Sequence, residues 1–321
     1  MKAVVRYRYG GPEVLEVAEV PRPTPVGSEV LIRVRAASLN RSDWEGLVGK
    51  PLYARIGGLR RPRRPILGSD VAGIVESVGP DHTEFKPGDE VFAEMVGSGG
   101  GFAEYVCGRG TIARKPTDLS FELAAALPQA AMIALRAIRD KGKVQAGQQV
   151  VINGGGGSAG AFAIQLAKAS GAEVTGVDNA GKLEFMRSQG ADQVIDHTRE
   201  DFTKTGTRYD LILDLVAHRS VFAYNRALKP NGKYFFVGGS VGLMFQLLVL
   251  GRIIGRRAGK RLTILVASST KADLERAAEM CLSGELAVHI DKRYRLDDVS
   301  EALRAMGAGE LKGKAVVVIG D

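Results

Sequence analysis

The chain has 321 residues, of which 45% are hydrophobic, and a formal charge of +8. That is enough for one large or two ordinary domains with a sizeable core, and it excludes a disordered or fibrous chain. Its two cysteines, Cys107 and Cys281, have neither the density of a disulfide-stapled secreted scaffold nor the spacing of a zinc site. Met1 leads straight into an alternating stretch with no signal-peptide pattern, so the expected compartment is the cytoplasm.

Up to residue 117, short apolar runs are separated by turn residues. In EVLIRVRAAS, residues 29–38, Val30, Ile32 and Val34 share one face while Arg33 and Arg35 share the other, which predicts a strand. Further strands are expected at 71–79, 89–95 and 101–108, with the basic segment of Arg60, Arg61, Arg63 and Arg64 among them. From Leu119 the pattern alternates: helix 121–140, strand 148–153, helix 158–170, strand 173–178, helix 181–189, strands 193–196 and 210–215, helix 219–228, strand 232–238. This predicts an α/β fold with a doubly wound, mostly parallel sheet. The apolar run 241–251 that follows is too short to cross a bilayer, so no membrane span is expected. A second basic cluster holds Arg252, Arg256, Arg257, Lys260 and Arg261. Each cluster reads either as solvated surface or as a wall that attracts an anionic cofactor or substrate. Neither is interleaved with aromatic residues, and no nucleic-acid-binding motif is present, so a nucleic-acid partner is not expected.

Four glycines, Gly154 to Gly157, stand between the strand 148–153 and the helix 158–170. In the register Gly155, Gly157, Gly160 they fit G-x-G-x-x-G, in which one glycine permits the turn, one admits a pyrophosphate and one lets helix and strand pack closely. The register Gly154, Gly156, Ala159 is also open. The following strand ends in an acid, Asp178, at the distance expected of a ribose-binding residue. These features predict a dinucleotide site that includes Asn153, Gly155, Gly157, Ser158, Ala159 and Gly160, with Val237 and Gly238 at the end of the strand 232–238.

The words GGPEVLEVAEVPRPTPVGSEVLIRVRAASLNRSDWEG, PILGSDVAGIVESVG, FKPGDEVFA, GGFAEYV, NGGGGSAGAFAIQLAK, GADQVID and ALKPNGKYFFVGG run in order through nearly the whole chain. In this the sequence resembles the medium-chain dehydrogenase/reductase family, in its zinc-free quinone oxidoreductase-like branch. The resemblance implies a GroES-like β-barrel domain at 1–117 and 265–321, a Rossmann dinucleotide-binding domain at 118–264, an active site in the interdomain cleft and a homodimer. Where zinc-dependent members carry cysteine and histidine ligands, this chain has Asn40 and Ser69, and the four-cysteine lobe is missing. No metal is therefore expected. Without a metal to polarise an alcohol, a quinone or α,β-unsaturated carbonyl is the better substrate, because the charge left by the arriving hydride spreads onto an oxygen that hydrogen bonds can stabilise.

The resemblance implies that Asn40 lies near nicotinamide and substrate, where its amide would donate to a developing oxyanion; the alternative is an asparagine satisfying a turn. Asp43 is read as orienting that loop, and Tyr53 and Trp44 either as pocket walls or as aromatics buried under a loop. Glu45 and Ile133 stand where some members have lysine and threonine, which leaves the proton donor unassigned. Asp178 favours NAD by accepting from the ribose 2′-hydroxyl, whereas Lys182 lies where NADPH-using relatives bind a phosphate, with His197 in place of their tyrosine. The expected cofactor is NAD(P)H with the balance toward NAD(H). Two other readings stay open: an enoyl-thioester reductase, and a dinucleotide-binding regulatory or RNA-binding protein with weak catalysis.

Overall fold

The computed structural model describes residues 1–56, 58–95 and 99–320. By internal contacts it divides into one unit of residues 1–129 with 269–321 and a second of residues 130–268. The first unit opens with β1 (Lys2–Val5), β2 (Glu16–Glu19), β3 (Val30–Ser38), α1 (Arg41–Val48), β4 (Asp70–Val78), β5 (Glu90–Glu94), β6 (Tyr105–Gly108), β7 (Thr111–Arg114) and α2 (Phe121–Ala126). The chain passes through α3 (Pro128–Leu135) into the second unit, which holds β8 (Gln149–Asn153), α4 (Ser158–Ala169), β9 (Glu173–Asp178), α5 (Leu183–Ser188), β10 (Gln193–Asp196), β11 (Tyr209–Asp214), α6 (Val221–Ala227), β12 (Leu228–Phe236), α7 (Val241–Gln246), α8 (Arg252–Arg257) and β13 (Arg261–Ile264). It returns to the first unit with α9 (Lys271–Leu282), β14 (Ile290–Arg295), α10 (Val299–Gly307) and β15 (Lys314–Val318).

The first unit is built on a sheet of order β14-β15-β3-β4-β5-β7, with β6 also paired to β3, and a separate hairpin of β1 and β2. Every pairing of the larger sheet is antiparallel except β14 with β15. Its core takes the inward residues of the alternating strands, such as Ile32, Val34, Val71 and Val91, and closes them with Val299 and Leu303 of α10. The helix α2 packs on β3 and β4, which is why the first unit runs to Gln129 rather than stopping at residue 117.

The second unit is a six-stranded parallel sheet of order β10-β9-β8-β11-β12-β13. With strands counted in their order within this unit the order is 3-2-1-4-5-6, the doubly wound arrangement, and its switch point lies between β8 and β11. Val150, Val151 and Ile152 of β8 are all fully buried, as a strand covered on both faces requires. The fold is thus the expected GroES-like unit plus Rossmann sheet, and the boundaries of 173–178 and 193–196 are met as read.

Local chemistry redraws several elements. The helix expected over 121–140 is interrupted, because Pro128 has no N–H and its ring opposes the carbonyl one turn earlier; α2 stops at Ala126 and α3 starts at Pro128. The region read as mostly strand contains a helix, α1, which ends where Gly49 takes a left-handed φ of 64°. The strand expected at 101–108 begins only at Tyr105, and β12 begins at Leu228 rather than at residue 232.

Candidate functional site

The C-terminal edge of the parallel sheet carries the predicted dinucleotide residues. The strand β8 delivers Asn153, and Gly154 turns the chain with φ of +89°, a conformation that side chains rarely adopt. The N–H groups of Gly154 and Gly155 both donate to Val177 O, at 2.8 and 3.1 Å, tying the turn to β9. A Cβ on Gly160 would stand 2.2 Å from Gly154 O, so α4 approaches the turn only because that side chain is absent. Gly157 differs: its φ is −86° and ψ 178°, and an added Cβ would meet nothing nearer than Gly154 O at 3.5 Å. A side chain there fits the backbone yet occupies the space in front of the helix. The N–H groups of Ser158, Ala159 and Gly160 have no protein acceptor among the described residues. An anion placed before α4 would receive these donors and the positive end of the helix dipole.

Asp178 ends β9 with its carboxylate already engaged. Oδ2 accepts from Gly156 N–H at 3.0 Å, Oδ1 accepts from Asn179 N–H at 2.9 Å, and Lys182 Nζ lies 3.7 Å from Oδ1. Lys182 is 7% exposed and its stem crosses Gly156, where an added Cβ would sit 2.5 Å from Lys182 Cδ. The two residues that the sequence sets against each other as readers of the ribose are therefore partners in one ion pair that braces the glycine turn. His197 is exposed beside them, its N–H donating to Asp178 O at 3.0 Å.

Asn153 is turned inward. Its Nδ2 donates to Asp214 Oδ1 at 2.7 Å, and the two residues are register partners on β8 and β11. Asp214 is fully buried and also accepts from Tyr234 at 3.0 Å and from Tyr224, whose rings stack at 4.3 Å. Burial raises the Asp214 carboxyl above its ordinary range, and the hydroxyls and amide pull it back down. Beyond β12, Val237 N–H donates to Asp214 O and Gly238 O accepts from Ala217 N–H, each at 2.9 Å, so both residues lie at the switch-point edge. The sequence reading missed Asp214, Tyr224 and Tyr234; its one available signal was an acid closing an otherwise apolar strand.

The first unit gathers Asn40, Asp43, Ser69, Asp70 and Lys314 in a polar cluster closed to water. Lys314, 1% exposed on β15, donates to Asn40 Oδ1 at 3.0 Å and lies 3.7 Å from Asp70 Oδ2. Asn40 Nδ2 donates to Asp70 Oδ2 at 2.8 Å and to Ser69 Oγ at 3.0 Å, and Ser69 Oγ donates to Asp43 Oδ2 at 3.2 Å. Both amide hydrogens of Asn40 are thus taken, and in this arrangement the residue is a bracket with no donor left for an oxyanion. Asp43 also accepts from the backbone N–H of Asn40 at 2.9 Å and of Gly68 at 3.2 Å, which ties it to the start of α1 and to the loop before β4. Burial still dominates and pushes the Asp43 carboxyl up to about 7, with a smaller push from Asp70. Glu94, at the end of β5, is likewise raised to about 7, chiefly by burial, although it accepts from Ser269 Oγ. Trp44, half-buried on α1, packs with the first unit's core, and its ring faces Gly307 of α10 rather than lying under a loop. Tyr53 is half-buried in a short 3₁₀ turn, Leu52–Arg55.

Two family models match: "Alcohol dehydrogenase GroES-like domain" over residues 27–116 and "Zinc-binding dehydrogenase" over residues 189–317. Among similar proteins, the chloroplastic quinone-oxidoreductase QR1 of Triphysaria versicolor is 30% identical over 99% of this chain and 98% of that relative. The mitochondrial NAD(P)H oxidoreductase RTN4IP1 of Mus musculus is 32% identical over 99% of this chain and 89% of that relative. The structure of the quinone oxidoreductase from Coxiella burnetii superposes with a TM-score of 0.89 at 29% identity, covering 100% of this chain and 99% of that one.

Two expected outcomes follow from this geometry. Gly157→Val keeps a cooperative melt, because its φ is negative, yet weakens dinucleotide binding more than about a hundredfold by filling the space before α4; calorimetric titration beside circular dichroism checks it. Asp43 and Glu94 ionise near 3.8 and 4.5 when unfolded and near 7 when folded, so the folded state binds more protons between those values. Their contribution to stability is full below the unfolded values and is lost as pH rises through 7. Asp43→Asn removes its share of that loss, on the order of 4 kcal/mol at most, which urea unfolding of both proteins on either side of this window measures.

Proposed function

This chain belongs to the medium-chain dehydrogenase/reductase family, in its quinone oxidoreductase branch, and from that premise we propose that it is an NAD(P)H-dependent reductase of quinones or α,β-unsaturated carbonyls. The observation that carries the reading is the cradle before α4, where a negative φ and open space at Gly157 meet three backbone N–H groups that have no protein acceptor among the described residues. These features fit the pyrophosphate of a nicotinamide dinucleotide, which when bound supplies the hydride. Ser158, Ala159 and Gly160 would hold the phosphates by their backbone, while the Asp178–Lys182 pair keeps the turn in the shape that presents them. Lys182 and Asp178 cancel each other's charge, so a 2′-phosphate entering there would have to separate a nearly buried pair and meet a carboxylate. On this ground NAD(H) is the preferred cofactor.

The reaction is proposed to proceed without zinc. Asn40 and Ser69 present an amide and a hydroxyl in place of thiolate and imidazole, and their polar atoms are engaged with Lys314, Asp70 and Asp43. The Lys314 ammonium, 3.0 Å from Asn40 Oδ1, would also repel a dication. The role proposed for Asn40 is therefore to fix the loop from residue 39 to 43 rather than to donate to substrate.

Steady-state assays with 9,10-phenanthrenequinone and a simple enone, each with NADH and NADPH, test the activity; turnover of neither acceptor with either cofactor refutes it. Elemental analysis is expected to find no stoichiometric zinc, and chelators are expected to leave turnover unchanged. Asp178→Ser is expected to weaken NADH binding by on the order of 1.5 to 3 kcal/mol, the loss of a charge-assisted hydrogen bond, and to strengthen NADPH binding as Lys182 is released. Dissociation constants of both cofactors for Asp178→Ser and Lys182→Ala check this, and an unchanged NADH to NADPH ratio in both variants removes these residues as the source of preference.

A further inference from the structure

A carboxyl group shut inside a sheet is a costly way to end a strand, because an apolar side chain of similar size would pack there without a desolvation penalty. Asp214 is such a group, fully buried at the last position of β11. Its hydrogen-bond partners are neutral donors. Asn153 Nδ2 at 2.7 Å and Val216 N–H at 3.4 Å donate to Oδ1, the Tyr234 hydroxyl donates to Oδ2 at 3.0 Å, and the Tyr224 hydroxyl donates as well. Each donor comes from a different piece of the second unit: the end of β8, the loop after β11, β12 and α6. A buried polar group satisfied from four sides fixes one arrangement of the pieces that satisfy it.

Those pieces shape the cradle before α4. Asn153 directly precedes Gly154, and its carbonyl accepts from Leu215 N–H at 3.0 Å. A Cβ on Gly154 would stand 3.1 Å from Leu215 Cβ and 3.5 Å from Val216 Cγ2, so the loop after β11 lies against the glycine turn. That loop is fastened in turn to the one after β12. Ala217 N–H donates to Gly238 O at 2.9 Å, Ser240 N–H donates to Ala217 O at 2.7 Å, and a Cβ on Gly239 would sit 2.1 Å from Ala217 O. The loops that follow three neighbouring strands are thus one hydrogen-bonded unit with Asp214 beneath it. Tyr224 and Tyr234 are themselves fully buried, so their hydroxyls act on the cradle through the carboxylate.

We propose that Asp214 is a positioning residue for the dinucleotide: it holds the glycine turn against the loops after β11 and β12, and so keeps the N–H groups of Ser158, Ala159 and Gly160 aimed at one anion. The inference rests on the reading of the cradle as a dinucleotide site, and adds that the affinity of that site is set from beneath by a group too deeply buried to meet the ligand. The clamp needs an acceptor toward the tyrosines and a partner toward Asn153. A side-chain amide at this position supplies both, since Asn153 can turn its own amide over and accept through Oδ1. An apolar side chain supplies neither, and strands three donors in the core.

Calorimetric titration of the full chain with NADH and with NADPH, beside thermal melts, tests the proposal. Asp214→Leu is expected to raise the dissociation constant of the tighter cofactor more than about tenfold. Asp214→Asn is expected to stay within about threefold of the unmodified chain, the recovery that a hydrogen-bonding role predicts. Tyr224→Phe together with Tyr234→Phe keeps both rings and is expected to raise the constant about fivefold; this double variant carries the test where Asp214→Leu does not fold. Leu228→Ala, buried at the opposite end of β12, is the control for lost stability: it is expected to lower the melting temperature and leave affinity unchanged. Asp214→Leu or the double variant, folded and binding as tightly as the unmodified chain, overturns the proposal. So does Asp214→Asn binding as weakly as Asp214→Leu, or Leu228→Ala weakening affinity as much as they do. An unmodified chain that binds neither cofactor overturns the dinucleotide reading and this inference with it, whereas tight binding indifferent to Asp214 overturns this inference alone.

Discussion

Taking an ammonium ion out of water costs several kcal/mol even after the surroundings relax, and removing one partner of such a buried pair leaves the other uncompensated. Lys314 Nζ is in that position, and its partners decide the arrangement around it. Asp70 Oδ2 supplies the opposite charge and Asn40 Oδ1 the hydrogen bond, so the Asn40 amide is forced to turn its two hydrogens toward Asp70 and Ser69. Ser69 can then donate to Asp43, and Asp43 accepts from the backbone at the start of α1. One cation thus fixes a chain of donors and acceptors that ends in the placement of a helix. Burial raises the carboxyls around it all the same, Asp70 despite the lysine at its side and Asp43 and Glu94 to about 7.

The second unit solves a different problem with the same materials. A parallel strand must end and a helix begin within four residues, and the glycine turn leaves little side-chain packing to hold it. Asp178 and Lys182 supply the missing support from β9 and the turn after it, by a carboxylate on Gly156 N–H and an ammonium stem laid across the same glycine. Beneath the switch point, Asp214 holds Asn153 from β8 and Tyr234 from β12. Three adjacent strands are therefore clamped at their C-terminal ends by one carboxylate. The Asp214 clamp preorganises the edge that faces a ligand without having to touch it.

Sequence periodicity, turn chemistry and charge order are local properties, and they carried the reading as far as local properties go. The alternation of Val30, Ile32 and Val34 with Arg33 and Arg35 gave a strand, the uninterrupted Val150, Val151 and Ile152 gave a strand covered on both faces, and Gly154 to Gly160 gave the strand-to-helix turn. The family was legible in the order of short words along the chain. What the sequence could not show was which polar atoms find each other. Lys314 meets Asn40 across 274 positions of chain, Asn153 meets Asp214 across 61, and no spacing rule links them. For the same reason Asp178 and Lys182 read as rivals for a ribose when they are four residues apart on paper, and as partners once the turn between them closes the distance to 3.7 Å. A hydrogen bond is settled by direction and proximity within a few ångströms, so only the folded chain decided which side chains were free to act and which were already holding it together.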